Sequence, residues 1–299
     1  MSGATMREQF ATTATALLGE NPLAAVVLAD ISVGLFSDAI RQHPRRVINV
    51  GIREQLMVSV GAGLALSGMR PIVHTFASFM VERAFEQLKL DFGHQGASGV
   101  LVSAGASYDM ASAGRTHQAP GDVALLDTLP DWRIHIPGHP AELEALLRAA
   151  IGGAQPAYIR CSTRQNADPR PPDARGSFAP VRRGSRATVL AVGPMLDPVL
   201  AATAGLDVTV LYAATVRPFD AATLLATLAQ PDVVLAEPYL EGTSARCVTE
   251  ALAGRPHRLL CLGIPRVELR RYGTPEEHDR AYGLDPAAIR RRLDAFLGG

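Results

Sequence analysis

The chain has 299 residues, 47% of them hydrophobic, which is enough for the core of one large or two ordinary domains. Its 29 basic and 29 acidic side chains cancel, which argues against a nucleic-acid partner and a basic membrane-binding surface. No apolar run reaches the roughly 20 residues of a membrane helix, and the N-terminus lacks the apolar segment of a secretory signal. Three widely separated cysteines, Cys161, Cys247 and Cys261, predict reduced, buried thiols of a cytoplasmic protein.

Short apolar runs alternate with helix-length segments in the first half of the chain. This alternation is typical of a mostly parallel sheet covered by helices on both faces. Helices are expected near residues 5–18, 52–67, 79–93 and 140–151. The predicted strands span residues 25–30, 47–50, 71–76, 99–104, 132–136 and 157–160.

A proline-rich segment with few apolar residues, 166–184, predicts a linker. Beyond it the alternation resumes, so we expect two mostly parallel α/β domains, at 1–165 and 185–299. The second domain is predicted to contain strands 187–192, 208–213, 232–237 and 258–263 and a helical tail near 285–297.

One carboxylate, Glu54, lies in the stretch GIREQ, where a predicted strand ends and a predicted helix begins. The helix dipole stabilises a carboxylate in the first helical turn by roughly 0.3–1 kcal/mol. Strand ends that face helix starts are also where open α/β sheets bind ligands. Both interpretations, a structural residue at the helix start and a ligand-binding acid, stay open on local sequence alone.

Two aromatic residues and one histidine follow other predicted strands. Phe76 and Phe79 indicate either core packing or a flat apolar slot for a ligand ring. His117 lies in the small-residue loop 111–122, and histidine changes its charge near neutral pH. It is interpreted either as a solvated loop residue or as an acid–base group.

Two arginines, Arg160 and Arg164, lie at the end of the strand 157–160. Arginine suits phosphate and carboxylate oxygens, so the pair predicts an anion site or, alternatively, a surface pair at a domain edge. The eight histidines show no metal-ligand spacing, and no metal site is expected in this chain.

Taken in order, these stretches resemble the transketolase family, with additional similarity to 1-deoxyxylulose-5-phosphate synthase. The resemblance covers nearly the whole chain, and its weight rests on the order and spacing of motifs that are individually weak. Four stretches resemble the pyrimidine-binding domain of the family. They are VGIREQLMVSVGAGLALSG, PIVHTFASFMVERAFEQ, GRTHQAPGDVALLDTLPDWRIHIPGHPAE and AYIRCSTRQN. Three further stretches, TVRPFD, VVLAEPYLEG and YGLDPAAI, resemble the C-terminal domain of the family.

The resemblance implies thiamine diphosphate as cofactor. Glu54 matches the glutamate that hydrogen-bonds the aminopyrimidine ring of the cofactor and thereby promotes its activation. A carboxylate does this best in a nearly dry site. Phe76 and Phe79 match the aromatic residues around the pyrimidine, and Arg83 in the same motif is also expected to bind the cofactor.

The resemblance also implies residues that bind a small carbonyl substrate. His117 matches the histidine of the THQ motif, which contacts substrate hydroxyls, and is expected to be catalytic as well. Arg164 matches an arginine that binds substrate phosphate, with Arg160 as its rival. The family usually has an acid four positions before the THQ histidine, where this chain has Ala113, and Arg115 stands beside it. We therefore expect an altered substrate, with Arg115 contacting a carboxylate or another anion.

A second departure is the lack of a Gly-Asp-Gly motif, which in the family binds a divalent metal and the cofactor's diphosphate. The expected partner is an N-terminal transketolase subunit that holds the diphosphate with Mg²⁺ or Ca²⁺, in an α₂β₂ assembly. Small residues on the helix after Glu54 are expected either to pack across the two-fold core of this assembly or to pack tightly within one domain. They are Ser59, Gly61, Ala62, Gly63 and Ala65.

The leading prediction is the pyrimidine-binding subunit of a split transketolase, which moves a two-carbon ketol unit from a ketose donor to an aldehyde acceptor. Two alternatives stay open. One is the beta chain of a 2-oxo acid dehydrogenase decarboxylase component, and the other is a non-catalytic scaffold subunit.

Overall fold

A computed structural model describes residues 4–173 and 175–298 and contains two β-sheets flanked by helices. Within these residues no helix is both long and apolar enough to cross a membrane. The strands are β1 (Ala24–Leu28), β2 (Val47–Asn49), β3 (Arg70–Phe76), β4 (Val100–Ala104), β5 (Arg133–His135), β6 (Ala157–Arg160), β7 (Ala179–Arg182), β8 (Thr188–Val192), β9 (Thr209–Ala213), β10 (Thr215–Arg217), β11 (Asp232–Leu240) and β12 (Arg258–Ile264). The α-helices are α1 (Met6–Glu20), α2 (Ser37–Gln42), α3 (Glu54–Leu66), α4 (Phe85–Gln87), α5 (Asp122–Leu126), α6 (Pro140–Ala150), α7 (Leu196–Ala202), α8 (Ala221–Thr227), α9 (Ala245–Ala251), α10 (Pro275–Tyr282) and α11 (Pro286–Gly298).

The first sheet has seven strands in the order β10-β5-β6-β4-β3-β1-β2. Strands β1 to β6 are mutually parallel, and every position of β1 and β4 is buried, as expected for strands covered on both faces. The edge strand β10 comes from the predicted second domain and pairs antiparallel with β5. The two halves of the chain therefore share one sheet.

The second sheet has five strands in the order β12-β11-β8-β9-β7. Strands β8, β9, β11 and β12 are parallel, whereas β7 pairs antiparallel with β9 at the edge. The two mostly parallel α/β sheets confirm the predicted fold class. Strand β7 lies inside the predicted linker 166–184, and Pro180 fits there because an edge strand needs hydrogen bonds on one side only. The domain limits 1–165 and 185–299 stay a prediction.

The segment predicted as a helix near 79–93 is helical but contains two wide turns. Ser78–Arg83 and Leu88–His94 are π-helical and flank α4. Short π-helical turns are frequent at functional sites. The first of them brings Phe79 and Arg83 together, with the Arg83 guanidinium carbon 3.8 Å from the centre of the Phe79 ring.

Some small residues of α3 pack inside the domain, and others lie on an open surface of the helix. A Cβ atom on Gly61 would lie 2.5 Å from Cγ2 of Val73, so this glycine lets α3 pack closely on β3. Gly63, by contrast, has no atom within 4 Å of its would-be Cβ among the described residues. Tight packing within one domain thus explains Gly61, while Gly63 leaves room for a neighbour.

The three cysteines are free thiols. Cys161 and Cys247 are buried as predicted, and Cys261 is partly exposed.

Candidate functional site

Glu54 begins α3 directly after the loop that follows β2, at the carboxyl edge of the first sheet. Its side chain is only 1% exposed, and its Oε2 accepts a 2.6 Å hydrogen bond from Arg83 Nη1. Its Oε1 is buried and has no hydrogen-bond partner among the described residues. The dipole of α3 favours a carboxylate here, but it leaves this buried oxygen unsatisfied. An unsatisfied buried acceptor in this position points to an absent donor.

Phe76, Phe79 and His117 form a triangle of rings beside Glu54. The ring centres of Phe76 and Phe79 are 6.0 Å apart, and His117 lies 5.7 Å from Phe76 and 5.0 Å from Phe79. All three pairs meet edge to face, an arrangement that aromatic rings favour. Phe76 ends β3 and His117 lies in the loop after β4, so adjacent parallel strands bring these rings to one edge.

Arg83 connects the carboxylate to the rings. Its guanidinium pairs with Glu54 and lies over the face of Phe79, while 37% of its side chain stays exposed. These two contacts fix the orientation of both neighbours. In this structure Arg83 positions Glu54 and Phe79.

The loop that carries His117 is fixed by the second half of the chain. Gly114 has a φ of 73°, and a Cβ there would lie 2.6 Å from the Tyr272 ring, so only glycine allows this approach. The side chain of Gln118 donates to the Arg271 carbonyl at 3.3 Å. His117 itself is half-buried, and its Nδ1 lies 2.9 Å from the Thr116 hydroxyl.

Arg115 is already engaged by two acids. Its guanidinium lies 3.7 Å from Glu82 and 3.4 Å from Glu268, and 43% of its side chain is exposed. Burial raises the pKa of Glu82, although the positive charge of Arg115 opposes this rise. Ala113 ends a single turn in the same loop, without a charge of its own.

The rival arginines Arg160 and Arg164 differ sharply in environment. Arg160 is 1% exposed and forms a 2.7 Å ion pair with Asp122, which is fully buried. Arg164 is 25% exposed and forms an ion pair with Asp279 of α10. Only Arg164 can therefore reach a ligand without opening the core.

A series of hydrogen bonds near Phe76 involves residues that the sequence analysis did not predict for the site. Arg7 Nε donates to the Ser32 hydroxyl at 2.7 Å, and this hydroxyl lies 2.8 Å from His74 Nε2. His74 Nδ1 lies 2.7 Å from the Val102 carbonyl. Because a carbonyl can only accept, Nδ1 carries the proton and the Ser32 hydroxyl donates to Nε2. The guanidinium carbon of Arg7 is 5.9 Å from the centre of the Phe76 ring.

The local sequence does not predict this series of hydrogen bonds. Arg7 lies in α1, and nothing in its neighbourhood shows that the start of this helix reaches the strand ends. Ser32 has a φ of 65°, a conformation that is uncommon for residues other than glycine and often marks functional sites. Backbone angles of this kind cannot be read from the sequence.

His74 should make the protein less stable in acid. Burial lowers its pKa from 6.5 to about 4, with Arg7 adding to the effect and the Val102 carbonyl opposing it. The unfolded chain therefore binds a proton that the folded chain does not, and stability falls as pH drops from 6.5 towards 4. Between pH 7.5 and 5 the loss should be about 2 kcal/mol.

Urea unfolding of the protein and of His74→Asn at both pH values measures this loss. The stability difference between the two proteins should shrink at pH 5, because asparagine does not titrate. A difference that stays constant with pH would contradict the burial of a neutral His74. Comparison between variants is needed because burial raises the pKa of Glu237 to about 7, which acts in the opposite direction.

No cluster of three or more metal-binding side chains occurs within residues 4–173 and 175–298.

Two family models match the chain. Residues 2–168 match the transketolase pyrimidine-binding domain, and residues 176–289 match the transketolase C-terminal domain. The chain belongs to the transketolase family. The predicted family is thereby confirmed, and family members generally use thiamine diphosphate.

Individual members of the family match over different shares of their length. The chain is 51% identical over 294 residues to an uncharacterized 33.6 kDa protein in the fasciation locus of Rhodococcoides fascians, covering 97% of this chain and 94% of that protein. It is 31% identical over 316 residues to 1-deoxy-D-xylulose-5-phosphate synthase of Magnetococcus marinus, covering 99% of this chain but 50% of that enzyme. A solved structure described as a split gene transketolase, inactive beta4 tetramer, superposes with a TM-score of 0.84 at 25% identity, covering 99% of both chains.

Proposed function

We propose that this chain is the pyrimidine-binding subunit of a two-component, thiamine-diphosphate-dependent transketolase of the cytoplasm. It transfers a two-carbon ketol unit from a ketose donor to an aldehyde acceptor. The observation that carries this proposal is the buried, unpartnered Oε1 of Glu54 beside the rings of Phe76, Phe79 and His117. A carboxylate next to an aromatic slot suits a flat heterocycle that donates a proton or hydrogen bond.

These residues fit the pyrimidine half of the cofactor. When bound, thiamine diphosphate supplies a carbon nucleophile that breaks and forms C–C bonds next to a carbonyl group. Glu54 Oε1 would accept a hydrogen bond from the pyrimidine ring, while Arg83 holds Oε2 and keeps the carboxylate in place. Phe76 and Phe79 would pack against this ring and exclude water, which would strengthen the hydrogen bond to Glu54.

A second chain is proposed to hold the diphosphate and its Mg²⁺ or Ca²⁺. The sequence has no Gly-Asp-Gly motif. The match over 99% of a split gene transketolase chain supports a division of the enzyme between two genes. The match to the synthase of Magnetococcus marinus covers 50% of that enzyme. An α₂β₂ assembly would place the open surface at Gly63 near a neighbouring subunit.

Substrate binding is proposed to involve His117, Arg115 and Arg164. His117 is half-buried at the aromatic triangle, where it can contact substrate hydroxyls. Arg164 takes the anion-binding role in preference to Arg160, because Arg160 is fully enclosed by its own ion pair. Arg115 is neutralised by Glu82 and Glu268, so an anionic substrate would have to compete with these acids.

Reconstitution tests the proposed function. The chain is mixed with a co-purifying subunit that carries a Gly-Asp-Gly motif, together with thiamine diphosphate, Mg²⁺, a ketose donor and an aldehyde acceptor. Turnover should require both chains, and calorimetry should show no tight cofactor binding by this chain alone. Submicromolar binding without a partner would contradict the split enzyme. Decarboxylation of a 2-oxo acid without aldehyde transfer would favour the alternative decarboxylase beta chain.

One observation supports a second candidate, a non-catalytic assembly subunit. The matched split transketolase structure is described as an inactive beta4 tetramer. A tetramer of this chain that persists after every candidate partner is added, with no turnover, would favour this candidate.

His117→Ala is expected to lower kcat of the reconstituted enzyme at least about tenfold. Folding should be little affected, because His117 is half-buried in a loop and contacts its neighbours mainly through ring edges. His94→Ala is the matched control, since His94 is exposed at the end of a helical segment. Steady-state kinetics and urea midpoints are compared, and unchanged kinetics would show that His117 is only a loop residue.

A further inference from the structure

A cavity of about 390 Å³ lies away from the candidate site. Its lining includes Arg133 and Ala157, which begin the parallel strands β5 and β6. Phe76 ends a strand of the same sheet, and Glu54 and His117 follow the carboxyl ends of two others. The amino and carboxyl edges of a parallel sheet are opposite each other, so the cavity is a separate site.

The wall of this cavity is made mainly of small apolar side chains. Its volume lies within the range of roughly 300–1,000 Å³ that is typical of small-molecule sites. Alanines on one face of α6 leave the space that larger side chains would fill. The alanine and leucine residues that line the cavity are Ala145, Leu146, Ala149, Ala150, Ala154 and Ala157.

A few polar groups converge on this apolar wall. His135 is 4% exposed, lines the cavity and places its Nδ1 2.9 Å from the Thr215 hydroxyl. Burial keeps its imidazole neutral by lowering its pKa to about 3. The guanidinium of Arg133, whose Nη2 donates to the Arg175 carbonyl at 3.4 Å, is the single cation among the residues described as lining the cavity, and Gln155 also lines it. Asp173 stands exposed at the rim.

We propose that this cavity binds a small organic carboxylate with an apolar body. The carboxylate pairs with Arg133, which offers parallel N–H donors in the geometry that carboxylates accept. The apolar body packs on the alanine face of α6, and His135 and Gln155 offer the remaining polar contacts. Asp173 excludes a ligand that carries its negative charge at the rim, so the charge lies at the Arg133 end.

A ligand here would contact His135, which neighbours the strand through which the second half of the chain joins the first sheet. Thr215 belongs to β10, which adds to the first sheet beside His135 of β5. A ligand that binds only this joined arrangement stabilises it by mass action. The site therefore suits an effector that strengthens the docking of the second half on the first.

Binding is measured with benzoate as the probe and the whole chain as the receptor. Trp132 lines a different pocket and is not among the residues that line this cavity, so binding is followed by isothermal titration calorimetry. Saturable binding of benzoate is expected, with much weaker binding of benzyl alcohol and benzylamine. Arg133→Gln should weaken benzoate at least about tenfold, because it removes a charge-assisted hydrogen bond.

Two further variants make the test specific. Ala149→Leu should also weaken benzoate, because Ala149 is exposed on α6 and a larger side chain there fills the cavity without a change of charge. Arg148→Gln removes the same charge from α6 outside the cavity and should leave binding unchanged. The proposal is overturned if benzoate shows no saturable binding, if Arg133→Gln has no effect, or if benzylamine binds equally well. None of these readouts depends on the proposed transketolase activity.

Discussion

Glu54→Gln should reduce turnover of the reconstituted complex at least about a hundredfold while leaving assembly intact. Glutamine keeps the size of the side chain and can still accept one hydrogen bond from Arg83. It loses the negative charge. When its oxygen accepts from Arg83, its NH₂ group takes the place of Oε1 and offers a donor where the pyrimidine ring needs an acceptor. The site is dry around this oxygen, so water cannot substitute for the lost acceptor.

Glu86→Gln is the matched control for this experiment. Glu86 is exposed in α4, close in sequence to Arg83, and its replacement should leave turnover unchanged. Size-exclusion chromatography of the complex and steady-state kinetics are measured on both variants. Near-normal turnover of Glu54→Gln would remove Glu54 from the mechanism and return it to a purely structural place at the start of α3.

The strands of both sheets were accessible to sequence analysis because most of them are buried on both faces. Such strands read as continuous apolar runs, as in β1 and β8, whose positions are all buried. The two antiparallel edge strands behave differently. Strands β7 and β10 contain few apolar residues in a row, and each exists because it pairs with a neighbour, β9 or β5. Pairing of this kind depends on the tertiary fold rather than on local pattern.

The candidate site divides in the same way. Glu54, Phe76 and His117 are grouped in the sequence through the resemblance to the transketolase family, and their place near the ends of predicted strands agrees with one sheet edge. Their supporting contacts could not be predicted from the sequence. The partner of Arg164, Asp279, lies in α10 in the second half of the chain, and Arg7 reaches the strand ends from α1. The sequence predicts anion sites at arginines, but only the fold shows which arginines already hold a carboxylate.

Arg160 is an arginine that already holds a carboxylate, because a buried network of hydrogen bonds surrounds it. Asp122 accepts hydrogen bonds from both Arg160 Nε and the Tyr158 hydroxyl, each at 2.7 Å. Arg160 Nη2 donates to the Ser107 hydroxyl at 2.8 Å and to the Ala119 carbonyl at 3.1 Å. Burial of the ring, followed by the charge of Asp122, raises the pKa of Tyr158 well above its usual value, so the phenol stays protonated as a donor.

Arg160→Met should lower the free energy of unfolding by about 3–5 kcal/mol, since it leaves Asp122 buried without its counter-ion. That loss is a large share of the roughly 5–15 kcal/mol that stabilises a typical protein. Arg164→Met should cost only about 1 kcal/mol, because this pair is partly exposed. In the double variant Arg160→Met with Asp122→Asn, much of the stability should return, because no unpaired charge remains in the core. Urea unfolding of the four proteins gives this comparison. If Arg160→Met were as stable as Arg164→Met, Arg160 would not be a core residue, and it would again compete with Arg164 for the substrate anion.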